Sequence, residues 1–173
     1  EISTLISGKL LLTLIPFIDY GITEYLGDLL PLIMKFFIFE RKTKKEILLL
    51  YNDISRLIGV VAPCTAWWNV VKPYLTEDVT GLRCSSLIVL SRCLSGYNNM
   101  FIKAKNAASG DSEKIEFFLA PIVNDIILSL TKVAVDLHDA PLYVTEWFLM
   151  VLSELCNESI FSELESDMQN LLI

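Results

Sequence analysis

Leu30-Pro31-Leu32, Lys72-Pro73-Tyr74 and Ala120-Pro121-Ile122 each set a proline inside an apolar stretch, 42 and 48 residues apart. Each is followed, some way on, by a second apolar stretch of helical character. A recurrence of roughly 40–47 residues is the length of one helix pair in an array of stacked pairs. The fold class expected from it is all-α, an α-solenoid of stacked antiparallel helix pairs. Such units build an extended scaffold rather than a catalytic pocket.

Working outward from the prolines, the whole chain scans as helix. Ile2 to Ile15 reads as a first helix, with Pro16 kinking or ending it. A second is expected from Ile22 to Phe39. Thr43 with Glu46 three residues on has the form of a capping box opening a third helix. That helix carries Ile47, Leu50, Tyr51, Ile54, Leu57 and Ile58, an apolar stripe at 3-and-4 spacing. Gly59 to Pro63 is expected to end it. Ala66 to Leu75 is a fourth helix, interrupted by Pro73, and Leu82 to Leu94 a fifth, closed by a left-handed Gly96, with Tyr97 to Lys105 continuing as a short helix. Asn106 to Ser112 reads as a loop. Glu113 to Leu137 is expected to be a sixth helix bent at Pro121. Asp139 and Pro141 read as the start of a seventh, Leu142 to Cys156, and Ser162 with Glu165 as the cap of an eighth. No segment alternates with period two, so no strand is expected.

The units run approximately 21–62, 63–105 and 112–158, with partial units at 1–20 and 159–173. The repeat shows at residue level. Val89-Leu90-Ser91-Arg92-Cys93-Leu94 lines up with Val151-Leu152-Ser153-Glu154-Leu155-Cys156. Before the first string, Thr76 to Arg83 reads as an acidic turn followed by an arginine. A carboxylate at one turn meeting an arginine from the next keeps successive layers in register.

The 173 residues suffice for about four such units. Apolar residues make up 53% and charged ones 20%, with a mean hydropathy of +0.51. A membrane span needs about 18 consecutive apolar residues. The best candidate, Ile2 to Ile18, is broken by Ser3, Thr4, Ser7, Gly8, Lys9, Thr13 and Pro16. No membrane partner is expected; the apolar excess suits helices that stack, and a segment of a longer array would expose two unfinished faces. The start at Glu1 without Met and the finish Leu171-Leu172-Ile173 fit such a segment. The net charge of −7 argues against nucleic acid, since phosphate contacts need clustered Lys and Arg. Only Arg41, Lys42, Lys44 and Lys45 cluster. Cys64, Cys84, Cys93 and Cys156 lack metal-ligand spacing and read as buried thiols of a cytoplasmic protein.

Nothing announces an enzyme or a cofactor. His138, the only histidine, lies beside Asp136 and Asp139 at a helix end, where a cation is favoured. No phosphate-binding glycine motif is present. Glu163, Glu165 and Asp167 read as a solvated helix face. Trp67 and Trp68 point about 100° apart on a helix. One is expected in the core; the other lies in the core or at a groove used by a partner. Trp147 and Phe148 pose the same question, with core preferred. The residues carried forward as possible partner contacts are Trp67, Trp68, Arg41 and Lys42.

Ser55 to Pro63, Trp67 to Leu75 and Ser86 to Gly96 carry a resemblance. The motifs are Ile58-Gly59, then Pro63, then Pro73-Tyr74-Leu75, then Leu87-Ile88-Val89-Leu90 running to Gly96. Lys9-Leu10-Leu11-Leu12 and Ile22 to Leu26 add to it. Together they resemble the HEAT-repeat proteins of axonemal dynein assembly, the dynein axonemal assembly factor five family. The likeness covers roughly residues 5–96 and departs at Asn106 to Ser112. It implies a HEAT/armadillo-like scaffold, without catalytic residues, that helps preassemble dynein arms in the cytoplasm. Its implied partners are axonemal dynein chains, chaperones and other assembly factors. The alternative is a HEAT-type adaptor or a transport or microtubule-associated scaffold unrelated to dynein.

Overall fold

The structure, a computed structural model, describes residues 2–38, 43–107 and 119–157. Among the described residues seven α-helices run α1 Ile2–Ile18, α2 Leu26–Ile38, α3 Lys45–Val61, α4 Cys64–Leu75, α5 Thr80–Ala107, α6 Ala120–Asp136 and α7 Leu142–Leu155. The fold is all-α, with no strand among the described residues.

The helices sort into two rows. In one, α1 packs on α3, α3 on α5 and α5 on α7; in the other, α2 packs on α4 and α4 on α6. The central helix α5 also touches α2 and α4. Within the first row the contacts advance together. Asn52 meets Arg92 and Arg56 meets Gly96, while Arg92 meets Trp147 and Asn98 meets Glu154. Helices α3, α5 and α7 are therefore parallel. The rows oppose each other: Arg83 near the start of α5 pairs with Asp136 at the end of α6, 3.4 Å away. Arg83 also donates to the Glu77 carbonyl at 3.0 Å. The expected arginine-to-carboxylate link is present, though its partner is Asp136 rather than an acidic turn residue.

The three prolines fall in α2, α4 and α6, one row, but at different depths. Pro31 is the sixth residue of its helix, Pro73 the tenth and Pro121 the second. Their spacing marks which helix, not which position. Pro121 lies in the first turn of α6, where its missing N–H has no intrahelical acceptor to lose; the start of the expected sixth helix at Glu113 lies outside the described residues.

Helix α3 ends within the expected stretch from Gly59 to Pro63, whereas Gly96, read as lying past a helix end, proves to be interior. Helix α3 continues through Gly59 to Val61, and α5 through Gly96 to Ala107. No glycine has a positive φ among the described residues. What these two supply is closeness. A Cβ on Gly59 would collide with the carbonyl of Cys93, and one on Gly96 with the carbonyl of Arg56. Ser55 and Cys93 complete this small-residue seam, the Cys93 thiol donating to the Ser55 carbonyl at 3.4 Å.

Helix α5 is enclosed continuously from Cys84 to Ser91, so no single apolar stripe describes it. Its buried serines bond backwards within the helix, Ser85 to Leu82, Ser86 to Arg83 and Ser91 to Ile88, at 2.7–2.9 Å. These bonds let a short polar side chain fill a crowded core without an unpaired hydroxyl.

Two start signals are corrected. Helix α3 begins at Lys45 after Lys44, which makes no side-chain cap bond, and the Thr43 hydroxyl donates to Phe36 at 3.3 Å. Pro141, not Asp139, precedes α7; Asp139 belongs to a short 3-10 turn, Leu137–Asp139. The expected eighth helix and its cap lie outside the described residues.

By length and composition alone, Ile2–Ile38 would qualify as a membrane span. In the fold it is two helices joined by a 3-10 segment, Asp19–Tyr25, entered through a left-handed Asp19 with φ 49°. Helix α1 buries Gly8 and Ile15 against its neighbours and leaves Ile2, Ile6, Leu10, Leu14 and Phe17 exposed. At the other end Leu128, Val135, Leu142, Leu149 and Met150 are also exposed.

Candidate functional site

Three parallel helices carry a polar track through otherwise apolar contacts. It starts on α3. The Asn52 amide donates to Leu48 one turn back, at 2.9 Å, which turns its oxygen toward α5. That oxygen accepts from Arg92 Nε at 2.8 Å. The Arg92 guanidinium in turn lies 5.1 Å from the centre of the Trp147 ring on α7, within reach of a cation–π attraction. One arginine thus bridges three helices. Six residues on, the Asn98 amide donates to both the backbone carbonyl and a carboxylate oxygen of Glu154, each at 2.8 Å.

The charges nearly balance. Asp53 pairs with Arg56 one turn on, at 3.3 Å on the surface. Partial burial lowers the Arg92 pKa, the nearby Arg56 charge lowers it further, and Glu154 and Asp53 oppose both. Two polar atoms of the track, Arg56 Nε and Asn98 Oδ1, are buried without a partner among the described residues. The set offers donors, acceptors and an aromatic face, but no nucleophile beside a base.

A second polar link joins the other row. Asp125 on α6 accepts from Lys72 at 2.7 and 2.8 Å and from the Trp68 indole at 2.8 Å, both on α4. Lys72, then Trp68, hold its carboxyl below the usual value.

Trp67 and Trp68 are 0% and 1% exposed, so both indoles lie inside the chain and hold α4 in place. Arg41 and Lys42 lie outside the described residues, as do Glu163, Glu165 and Asp167. Phe148 is buried, while Trp147 is half-exposed over Arg92. His138 is exposed in the turn before α7. Cys64, Cys84 and Cys93 are buried, and Cys156 is exposed. Burial pushes the Cys64 thiol up to about 12 and raises Cys93 as well, so neither is a ready nucleophile. No group of three or more metal-ligating side chains occurs among the described residues.

Sequence reasoning missed Asn52, Asn98 and Asp125, and treated Arg92 and Glu154 only as matched letters. The usable signal was in that match. Two strings of apolar and small residues each carry one long charged side chain at the same place, Arg92 and Glu154. Both sit on the polar track. No protein-family model, no curated protein and no solved structure matches the chain.

Proposed function

We propose that the chain is a HEAT-type α-solenoid segment acting as a non-catalytic protein-binding scaffold. The observation that carries this reading is the order of packing, in which each helix of a row rests on the next of the same row. An array built that way presents a long, nearly continuous edge, and its end helices keep apolar faces, as an open stack does. The polar track leaves the Arg92 guanidinium and the Trp147 indole partly exposed on the first row, groups that pair readily with peptide backbone and side chains.

The narrower reading is cytoplasmic preassembly of axonemal dynein arms together with chaperones. Its support is the sequence resemblance around Pro63, Pro73 and Leu87 to Gly96. The test is affinity purification of the protein from ciliated cells, scored for dynein heavy and intermediate chains and for chaperones. Their enrichment is expected. Recovery of neither would remove the dynein role, and salt-resistant co-sedimentation with microtubules would favour the alternative scaffold.

A further inference from the structure

A cavity of about 370 Å³ opens between the Asp19 turn, the α3–α4 link and the middle of α5. We infer that it receives a single arginine side chain from a protein partner, an inference that rests on the scaffold reading above.

The cavity lining combines unpaired backbone carbonyls with one carboxylate. Pro63 has no N–H, so the Gly59 carbonyl four residues earlier loses its helical donor. The last donor of α3 is Ala62, which bonds Ile58 at 2.9 Å. The carbonyls of Gly59, Val60 and Val61 accept no hydrogen bond among the described residues, and all three residues line the cavity. Asp19 is the one charged side chain among the described lining residues, and it has no hydrogen bond or ion pair there. The exposed Tyr20 and the buried Tyr97 also line it, as does Met100.

The opposing group is the first turn of α4, whose Cys64 and Thr65 also line the cavity. The end of a helix carries about half a charge, so the end of α3 and the start of α4 offset each other. The whole charge of Asp19 is left over, and it decides the sign of the guest. Metal binding would need a cluster of ligating side chains, and none occurs among the described residues. A lining with unpaired carbonyls, one carboxylate and an exposed tyrosine suits a guest with many N–H donors on a flat cation. Guanidinium has five donors and stacks on rings, whereas an ammonium is compact and strongly hydrated.

The test titrates the full chain with the peptide acetyl-Gly-Arg-Gly-amide and follows amide shifts at Asp19, Tyr20 and Gly59 to Thr65. Saturable shifts confined to these residues are expected. The citrulline peptide, equal in shape and uncharged, should bind at least tenfold more weakly, a comparison that needs no variant. Asp19→Asn should give a similar loss with the fold kept, because asparagine tolerates a positive φ. Asp28→Asn, which removes a charge from α2, should leave binding unchanged. Absent shifts, equal binding of citrulline, or full binding by Asp19→Asn would overturn the proposal. Loss of dynein and chaperone capture while arginine still binds here would count against the scaffold reading alone. Capture that persists without any arginine binding would count against the cavity alone.

Discussion

Gly59 and Gly96 show how one atom decides a helix crossing. An alanine inside a helix is ordinarily favoured over glycine by about 1 kcal/mol. Here the added Cβ meets a carbonyl of the facing helix, backbone that cannot rotate away. Gly59→Ala and Gly96→Ala should each destabilise by about 2 kcal/mol or more, as overpacked cores do. Gly27→Ala is the counterpart, since nothing lies within 4 Å of its Cβ position. It should be neutral or stabilising by up to about 1 kcal/mol. Urea midpoints of the three variants check both signs; a stabilised Gly96→Ala would refute the close approach. The two tryptophans separate in the same way. The Trp68 N–H is bonded to Asp125, while the Trp67 N–H is buried without an acceptor among the described residues. Replacing each by Phe removes similar volume, but only Trp68→Phe breaks a bond. It should cost about 1 kcal/mol more than Trp67→Phe in chemical denaturation.

Elements were legible in the sequence where one physical signal dominated. The 3-and-4 stripe from Ile47 to Ile58 located α3, because that helix buries one face and shows the other to water. Helix α5 was cut short because Gly96 in a sequence gives the same letter whether it supplies a left-handed turn or room for a neighbour. Its buried serines look polar until their bonds to the preceding turn are seen. The polar track was illegible for another reason. Asn52 and Arg92 are 40 residues apart, and only the stacking of α3 on α5 makes them partners. Between α4 and α6, the Lys72 bond to Asp125 gives a pH signature. The folded state holds this carboxyl below its usual value of about 4, so its stabilisation is complete above that pH and is lost as pH falls through the lowered value. The Asp125 side chain is 44% exposed, which limits the effect to below about 1 kcal/mol. Thermal melts from pH 6 to 2 should show a steeper acid decline for the native chain than for Asp125→Asn. Identical slopes would mean the pair adds nothing.

At the scale of the molecule, the proline recurrence led to an all-α fold, which the described residues have, for a partly different reason. The prolines mark alternate helices, all in one row, while their positions within those helices differ. What repeats in space is the packing of α1, α3, α5 and α7, which no single motif encodes. The central claim is that this row is open, with α1 and α7 at opposite ends and two helices between them. Interhelix distances of 8–10 Å put the two ends roughly 25–30 Å apart if the row is straight. The most direct measurement is a pulsed electron–electron distance between spin labels at Ser7 and Ser153, both exposed, with Cys156 replaced by Ser. One population near that separation, broadened by the label arms, is predicted. A distance of about 10–15 Å, as in a closed bundle with α1 against α7, would contradict the two-row stack and the scaffold reading built on it.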